Sequence, residues 1–255
     1  MTGLHYEIAG PEDAPVVVMG GSIGTPLAMW DKQLPLADDL RIVRIDHRGH
    51  GRSPAPLPPW EIEDLAQDVL DTMDVLGLER AHYCGLSLGG MVGMWLAANA
   101  PARIDRLVLL CTSPYMPPAS LWQERAQAVL EAGSVEPLAD ATLARWLTPT
   151  FAAAHPEVRQ WVRAMLVGTP AVTYAACCGA IERMDLRAAL PEIRAATLIV
   201  SGAQDSSTPP SEQELIAGAI PGARHEIVDL AAHLAAVEQP VAINRLILEH
   251  LDEQR

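Results

Sequence analysis

The residues best suited to covalent chemistry lie at 85–90, which read Gly-Leu-Ser-Leu-Gly-Gly. This Gly-x-Ser-x-Gly pattern follows a strand-like apolar run at 81–84 and precedes helix-forming residues at 91–100. A tight strand-to-helix turn lifts a serine hydroxyl clear of the sheet, and the flanking glycines let strand and helix approach closely. The sequence therefore predicts Ser87 as a nucleophile. The alternative is a serine that only caps the helix.

A serine nucleophile needs a base, which is itself oriented by an acid. After such a turn the chain order is serine, acid, histidine. Of the histidines downstream of Ser87, His233 lies in a predicted loop before the last helix, and we expect it to be the base. Asp205 follows a predicted strand at 196–201 and is the expected acid, with Asp229 as its competitor. Each residue also suits a structural role in a turn or cap.

Attack by a serine creates an oxyanion that two N–H groups must stabilise. The N–H of Leu88 starts the helix after Ser87, where the helix dipole favours negative charge. The second donor is expected from the glycine-rich loop at 20–24, with Ile23 as first choice and Ser22 as second. This loop lacks both the Gly-Lys-Ser/Thr ending and the spaced Gly-x-Gly-x-x-Gly of phosphate-binding loops.

The segment 46–53, Asp-His-Arg-Gly-His-Gly-Arg-Ser, contains three side chains that could bind a metal: Asp46, His47 and His50. A turn rich in glycine and arginine after a strand is more often structural, and no further ligand set is evident. Hydrolysis through a serine needs no cofactor. We therefore expect neither a metal nor a cofactor.

Composition narrows the class of protein. The chain has 255 residues, of which 49% are hydrophobic, enough for a sizeable core. Its net charge of −14 argues against nucleic acids and anionic membranes as partners, and a homo-oligomer is allowed but not specified. No apolar run is long enough to span a membrane, and the first residues do not resemble a signal peptide. The four cysteines show no disulfide or zinc spacing, which favours the cytoplasm.

Strand and helix patterns alternate over most of the chain, which predicts an α/β fold with a mostly parallel sheet flanked by helices. We assign this core to residues 1–113 and 187–255. Residues 114–186 lack a strong strand and form the expected helical cap, inserted over the carboxyl ends of the strands. Its predicted helices are 121–132, 135–147, 155–167 and 173–181.

These motifs together resemble the α/β-hydrolase family. The resemblance rests on the turn at 85–90, the segment 46–53, Asp205 after a strand, and His233 followed by Glu-Gln-Pro at 238–240. It covers nearly the whole chain. It implies an α/β-hydrolase fold and a serine hydrolase that works through an acyl-enzyme.

Segments in and near the cap resemble family members that open a small enol-lactone. They are 22–25, 29–31, 121–125, 145–149 and 174–178. Gly21 and His47 depart from the usual residues of such loops. The resemblance implies a small anionic lactone as substrate, with residues of the cap and of the loop at 20–24 binding it: Ser22, Trp122, Arg125, Arg145 and Trp146.

Two kinds of alternative stay open. The arginines could lie on a solvated helix face and the tryptophans in the interior of the cap. The chain could also be another small-substrate hydrolase, namely a carboxylesterase, a C–C hydrolase or a cofactor-free perhydrolase, because such enzymes share fold and nucleophile. A ligand-binding relative without turnover is less favoured, because serine, acid and histidine are all present.

Overall fold

A seven-stranded sheet forms the centre of the computed structural model, which describes residues 3–252. Its strands are β1 (Tyr6–Ala9), β2 (Val16–Gly20), β3 (Arg41–Ile45), β4 (Ala81–Leu86), β5 (Ile104–Leu110), β6 (Ala196–Gly202) and β7 (Arg224–Val228). Their spatial order is β1-β3-β2-β4-β5-β6-β7. Within these residues β1 pairs antiparallel with β3 and every other pair is parallel. The predicted mostly parallel sheet is confirmed.

The central strand β4 is buried along its whole length. A parallel strand covered by helices on both faces reads as a continuous apolar run rather than as an alternating pattern. This explains why residues 81–84 stand out in the sequence. The strand continues to Leu86, so the turn that carries Ser87 follows it directly at the carboxyl edge of the sheet.

Helices flank this sheet. In the core they are α1 (Ile62–Val75) and α2 (Leu88–Asn99) before the inserted segment, and α8 (Pro210–Ala219), α9 (Ala235–Glu238) and α10 (Pro240–Leu251) after it. Helix α2 packs on β2, β4, β5 and α1, while α10 packs on β5, α9 and a 3-10 helix at Leu27–Asp38. A capping box between Glu61 and Asp64 begins α1.

The segment between β5 and β6 is helical, as its sequence predicts. It contains α3 (Ala119–Ala132), α4 (Ala139–Trp146), α5 (Pro149–Ala154), α6 (Pro156–Gly168) and α7 (Ala171–Arg183). The predicted helix at 135–147 is wrong in part, because a short 3-10 helix, Glu136–Leu138, precedes α4. Helix α5 was not predicted; it starts at Pro149 and is capped by the Thr148 side chain. The exact boundaries of core and cap stay a prediction.

The inserted helices share one hydrophobic core with the sheet. Their cysteines, Cys177 and Cys178, are buried free thiols, as are Cys84 and Cys111. Within residues 3–252 no single helix is long and apolar enough to cross a membrane. Among the described residues, one consecutive pair, α6 with α7, would be long and apolar enough if taken together, but the two helices are bent by 88° relative to each other.

Candidate active site

Ser87 occupies a strained turn between β4 and α2. Its φ of 55° and ψ of −112° lie outside the regions that non-glycine residues favour, at a cost of about 1–3 kcal/mol. Hydrogen bonds hold this conformation: the Ser87 N–H donates to the Leu110 carbonyl at 2.9 Å, and Thr112 Oγ1 donates to the Ser87 carbonyl at 2.8 Å. The backbone geometry of a nucleophile elbow is therefore present at the predicted serine.

The glycines on either side of Ser87 are required by close backbone packing. A Cβ atom on Gly85 would collide with the carbonyl of Gly89. A Cβ atom on Gly89 would collide with the carbonyl of Gly20 at the end of β2. The Gly89 N–H also donates to the Gly21 carbonyl at 2.9 Å. The turn is thus pressed against the glycine-rich loop that follows β2.

His233 and Asp205 form a buried pair. His233 Nδ1 lies 2.9 Å from Asp205 Oδ2, and both side chains are almost completely buried. Thr208 Oγ1 also donates to Asp205 Oδ2, at 2.8 Å. Asp229, the competing acid, is exposed. The geometry therefore favours Asp205 as the partner of His233.

The charge of Asp205 is maintained in this buried setting. Burial by itself would raise the pKa of Asp205, but the charge of His233 and hydrogen bonds from His233 and Thr208 outweigh it, so the pKa lies below its ordinary value. An ionised carboxylate can only accept at His233 Nδ1, which assigns the proton to that nitrogen. His233 Nε2 is left as the basic nitrogen.

Two N–H groups beside Ser87 are free to bind an oxyanion. Within residues 3–252 the Ile23 and Leu88 N–H groups donate to no other protein group. The neighbouring N–H groups are already used: Ser22 donates to Met29 Sδ at 3.2 Å, and Gly24 donates to His50 Nε2 at 2.9 Å. The structure thus favours Ile23 over Ser22 as a donor.

A cavity of about 350 Å³ lies between the carboxyl edge of the sheet and the inserted helices. The predicted site residues that line it are Ile23, Ser87, Trp122, Arg125, Arg145, Trp146 and His233. Leu88 and Asp205 stand behind this lining. Ser22 is buried and does not line the cavity, so its expected contact with a ligand is not supported. Its peptide N–H and carbonyl are held inside its own loop instead.

The cavity contains two arginines and no acidic residue among its described lining. Arg125 and Arg145 converge on Thr142 Oγ1, at 3.3 and 3.5 Å. Neither forms an ion pair with an Asp or Glu of residues 3–252. Burial, followed by the charge of Arg125, lowers the pKa of Arg145. Two adjacent guanidinium groups without a carboxylate partner form an electropositive site suited to a carboxylate.

Aromatic side chains complete the walls. Trp122 lies beneath the Arg125 guanidinium at 5.3 Å, and Trp146 stacks on the His233 ring with 6.2 Å between centroids. Tyr174 also lines the cavity, and burial raises its pKa to about 12. Neither Thr142 nor Tyr174 was predicted from the sequence to have a role in the site. Helical spacing gave a weak signal for Thr142, since it lies three residues before Arg145 on α4.

Glu238 joins the inserted helices to the loop that carries His233. Its Oε1 accepts from Thr148 N and Thr148 Oγ1, both at 2.8 Å, and its Oε2 accepts from Ala232 N at 2.6 Å. The Leu234 N–H also donates to the Trp146 carbonyl at 2.9 Å. We call these contacts the 148–238 seam. The seam fixes the wall residue Trp146 relative to His233.

The segment 46–53 is used in structural hydrogen bonds. Asp46 Oδ2 lies 2.7 Å from His5 Nδ1 and accepts from the Arg52 N–H, and Asp46 Oδ1 accepts from the Leu27 N–H. His47 is completely buried, and burial lowers its pKa to about 3. Across residues 3–252 no group of three His, Cys, Asp or Glu side chains is arranged to hold a metal ion.

Comparison with known proteins identifies the family to which this chain belongs. The α/β hydrolase fold family model matches residues 14–240, and the chain belongs to this family. It is 35% identical over 245 residues to 3-oxoadipate enol-lactonase 2 of Acinetobacter baylyi, covering 96% of this chain and 91% of that one. The crystal structure of an enol-lactonase from Burkholderia xenovorans LB400 is 39% identical with a TM-score of 0.95, covering 97% and 96% of the two chains. The putative carbamate hydrolase RutD of Stutzerimonas stutzeri is 30% identical, covering 98% and 97%.

Proposed function

We propose that this hydrolase opens 3-oxoadipate enol-lactone to 3-oxoadipate through an acyl-enzyme on Ser87. The observation that carries the proposal is a pair of arginines, Arg125 and Arg145, that have no Asp or Glu partner among the described residues. They line the same cavity as Ser87 and His233. An enol-lactone with an acetate side chain supplies both a carbonyl for the serine and a carboxylate for the arginines. Relatives named as enol-lactonases support the same substrate class.

The proposed first step forms the acyl-enzyme. Ser87 Oγ attacks the lactone carbonyl while His233 Nε2 takes its proton, and Asp205 stabilises the imidazolium. The N–H groups of Ile23 and Leu88 bind the oxyanion. The carbonyl–oxygen bond of the ring then breaks. The resulting enolate, still part of the acyl chain, takes the proton from His233 Nε2 and tautomerises to a ketone, which leaves His233 neutral for the second step. Since an enolate leaves readily, demand on the general acid is modest.

The second step releases the product. His233 removes a proton from water, the water oxygen attacks the acyl carbon, and the proton returns to Ser87 Oγ as 3-oxoadipate departs. The product has a second carboxylate where the ester was, close to Ser87. In this proposal Arg125 and Arg145 hold the side-chain carboxylate through both steps, and Trp122 and Trp146 pack against the ring. The reaction belongs to the β-ketoadipate route of aromatic breakdown, which we place in the cytoplasm.

A carbamate is the second candidate substrate, because relatives named as putative carbamate hydrolases cover nearly the whole chain at 28–30% identity. Its carbonyl could be attacked by the same serine. The paired arginines favour a ligand with a carboxylate, whichever bond is cleaved. Parallel assays of a lactone and a carbamate therefore separate the two.

The test follows the ultraviolet loss of 3-oxoadipate enol-lactone, generated in situ from muconolactone by its isomerase. Purified protein should consume the lactone rapidly, and Ser87→Ala should not. Turnover of a small carbamate in place of the lactone would support the second candidate. Turnover of p-nitrophenyl acetate alone would retain the serine hydrolase and reject the lactone. Covalent labelling by a fluorophosphonate, lost in Ser87→Ala, independently identifies the nucleophile.

A further inference from the structure

The loop between β2 and the 3-10 helix leaves one N–H, that of Ile23, without a partner among residues 3–252. The N–H groups of its neighbours, Ser22 and Gly24, are hydrogen-bonded within the protein. All three of Ser22, Thr25 and His50 are buried and do not line the cavity, whereas Ile23 does line it. A backbone N–H stabilises an oxyanion best when its direction is fixed before the reaction begins. Side chains that fix the direction of the Ile23 N–H would therefore contribute to catalysis without touching the substrate.

The peptide that contains the Ile23 N–H is held through its carbonyl. That carbonyl belongs to Ser22, and it accepts from Thr25 Oγ1 at 2.8 Å and from Thr25 N at 3.2 Å. In a planar trans peptide the C=O and N–H point in opposite directions. Holding the Ser22 carbonyl inward therefore directs the Ile23 N–H outward.

The next peptide is held through its N–H. The Gly24 N–H donates to His50 Nε2 at 2.9 Å, while His50 Nδ1 lies 3.2 Å from the Arg48 carbonyl. A carbonyl can only accept, so Nδ1 carries the proton and Nε2 presents a lone pair to Gly24. Burial lowers the pKa of His50, which keeps the ring in this neutral state.

We infer that Thr25 and His50 are positioning residues that aim the Ile23 N–H at the oxyanion. Together they fix the two consecutive peptides on either side of the Ile23 Cα, and neither touches the substrate. The inference rests on the proposed function, because it assigns these side chains to the oxyanion donor of that reaction. His50 thereby gains a role that the segment 46–53 did not indicate by its sequence.

Paired substitutions separate the hydrogen bond from the shape of each side chain. Thr25→Val keeps the shape and removes the hydroxyl, whereas Thr25→Ser keeps the hydroxyl. His50→Asn removes the acceptor near Nε2, whereas His50→Gln retains an acceptor near that position. Ser53→Ala is the matched control, because it removes a buried 2.6 Å hydrogen bond to the Asp46 carbonyl in the same segment without contacting the loop at 22–25.

Loss of a complete oxyanion donor lowers kcat by about 10²- to 10³-fold, and misdirection of one that is still present should cost about 10- to 100-fold. Thr25→Val and His50→Asn should show this loss in kcat with KM within about twofold, since the ground-state carbonyl uses the donor weakly. Affinity for a trifluoromethyl ketone, which forms a tetrahedral oxyanion on serine, should fall by the same factor. Thr25→Ser and His50→Gln should retain most of the wild-type kcat and of the affinity for the trifluoromethyl ketone. Ser53→Ala should change neither kcat nor this affinity.

The assays use both the enol-lactone and p-nitrophenyl acetate, because any ester needs the oxyanion donor. If the wild type hydrolyses only the acetate, the lactone proposal fails while the positioning test is still decided on the acetate. Wild-type kcat and trifluoromethyl ketone affinity in both Thr25→Val and His50→Asn would overturn the positioning role alone. A wild type inert toward both esters and toward fluorophosphonate would overturn the proposed function and the positioning role together.

Discussion

Replacing either cavity arginine by methionine should weaken substrate binding and stabilise the free enzyme. Arg125 and Arg145 both lie close to Thr142 Oγ1, at 3.3 and 3.5 Å. Their Nη2 atoms are therefore within about 7 Å of each other, close enough for direct repulsion. Methionine retains much of the aliphatic stem and removes the charge.

The size of the expected stabilisation follows from the repulsion between the two guanidinium charges. Two unit charges at 7 Å repel by about 0.6 kcal/mol in water and about 2 kcal/mol at an effective dielectric constant of 20. Both arginines are only partly buried, so solvent screening leaves about 1 kcal/mol. Relief of this repulsion should raise Tm by about 2–4 °C. A lost charge-assisted hydrogen bond costs about 1.5–3 kcal/mol, so kcat/KM for the lactone should fall about 10- to 150-fold.

Two comparisons make the assay specific. The neutral ester p-nitrophenyl acetate has no carboxylate, so its kcat/KM should be unchanged in Arg125→Met and Arg145→Met. Arg159→Met is the matched control, because Arg159 pairs with Asp140 at 3.1 Å and does not line the cavity. A lower Tm with unchanged kcat/KM for the lactone would show that the pair has a structural role and would refute the reasoning.

Three further outcomes are expected at the base and its seam. Asp205→Asn should lower kcat by about 10⁴-fold, because an amide no longer fixes the tautomer of His233; loss below tenfold would remove Asp205 from the site. Because the folded-state pKa of Asp205 is lowered, its ionised form stabilises the fold above about pH 4, and this stability is lost as pH falls through the folded-state pKa. Urea unfolding at pH 6 and pH 3 should therefore show a larger acid-induced loss in wild type than in Asp205→Asn, and equal losses would contradict it. Glu238→Gln should lower the free energy of unfolding by about 1–3 kcal/mol, because one amide oxygen cannot serve both Thr148 and Ala232; an unchanged urea midpoint would count against the seam.

Local sequence patterns predicted the strand and the turn that carry Ser87. The apolar run before Ser87 is β4. Gly85 is required by the packing of β4 against the first turn of α2, and Gly89 by the packing of that turn against the end of β2. The helix-forming pattern is evident only from residue 91, whereas α2 begins at Leu88, because the glycines at 89 and 90 have low helix propensity. The Gly89 N–H donates to the Gly21 carbonyl, and Gly90 packs against Thr112, so tertiary contacts hold both glycines in the first helical turn.

The wall of the cavity was harder to predict. Arg125 and Arg145 are far apart in sequence, and only the packing of the inserted helices brings both to Thr142. Ser22 was expected at the cavity because the segment 22–25 resembles that of family members that open a small enol-lactone. Its N–H and carbonyl are instead hydrogen-bonded to Met29 and Thr25, and these partners follow only from the folded structure.

The 148–238 seam also matters for engineering this enzyme. A chimera that exchanges the inserted helices would ordinarily be joined only at the two crossover points after β5 and before β6. Glu238 adds a third connection between the core and the middle of the transplanted segment. Its carboxylate accepts hydrogen bonds from Thr148 in that segment and from Ala232 in the core. If the transplanted helices lack a threonine or another hydrogen-bond donor at position 148, Glu238 loses part of its hydrogen bonding. Residues 146–148 and 232–238 should therefore be exchanged as one unit.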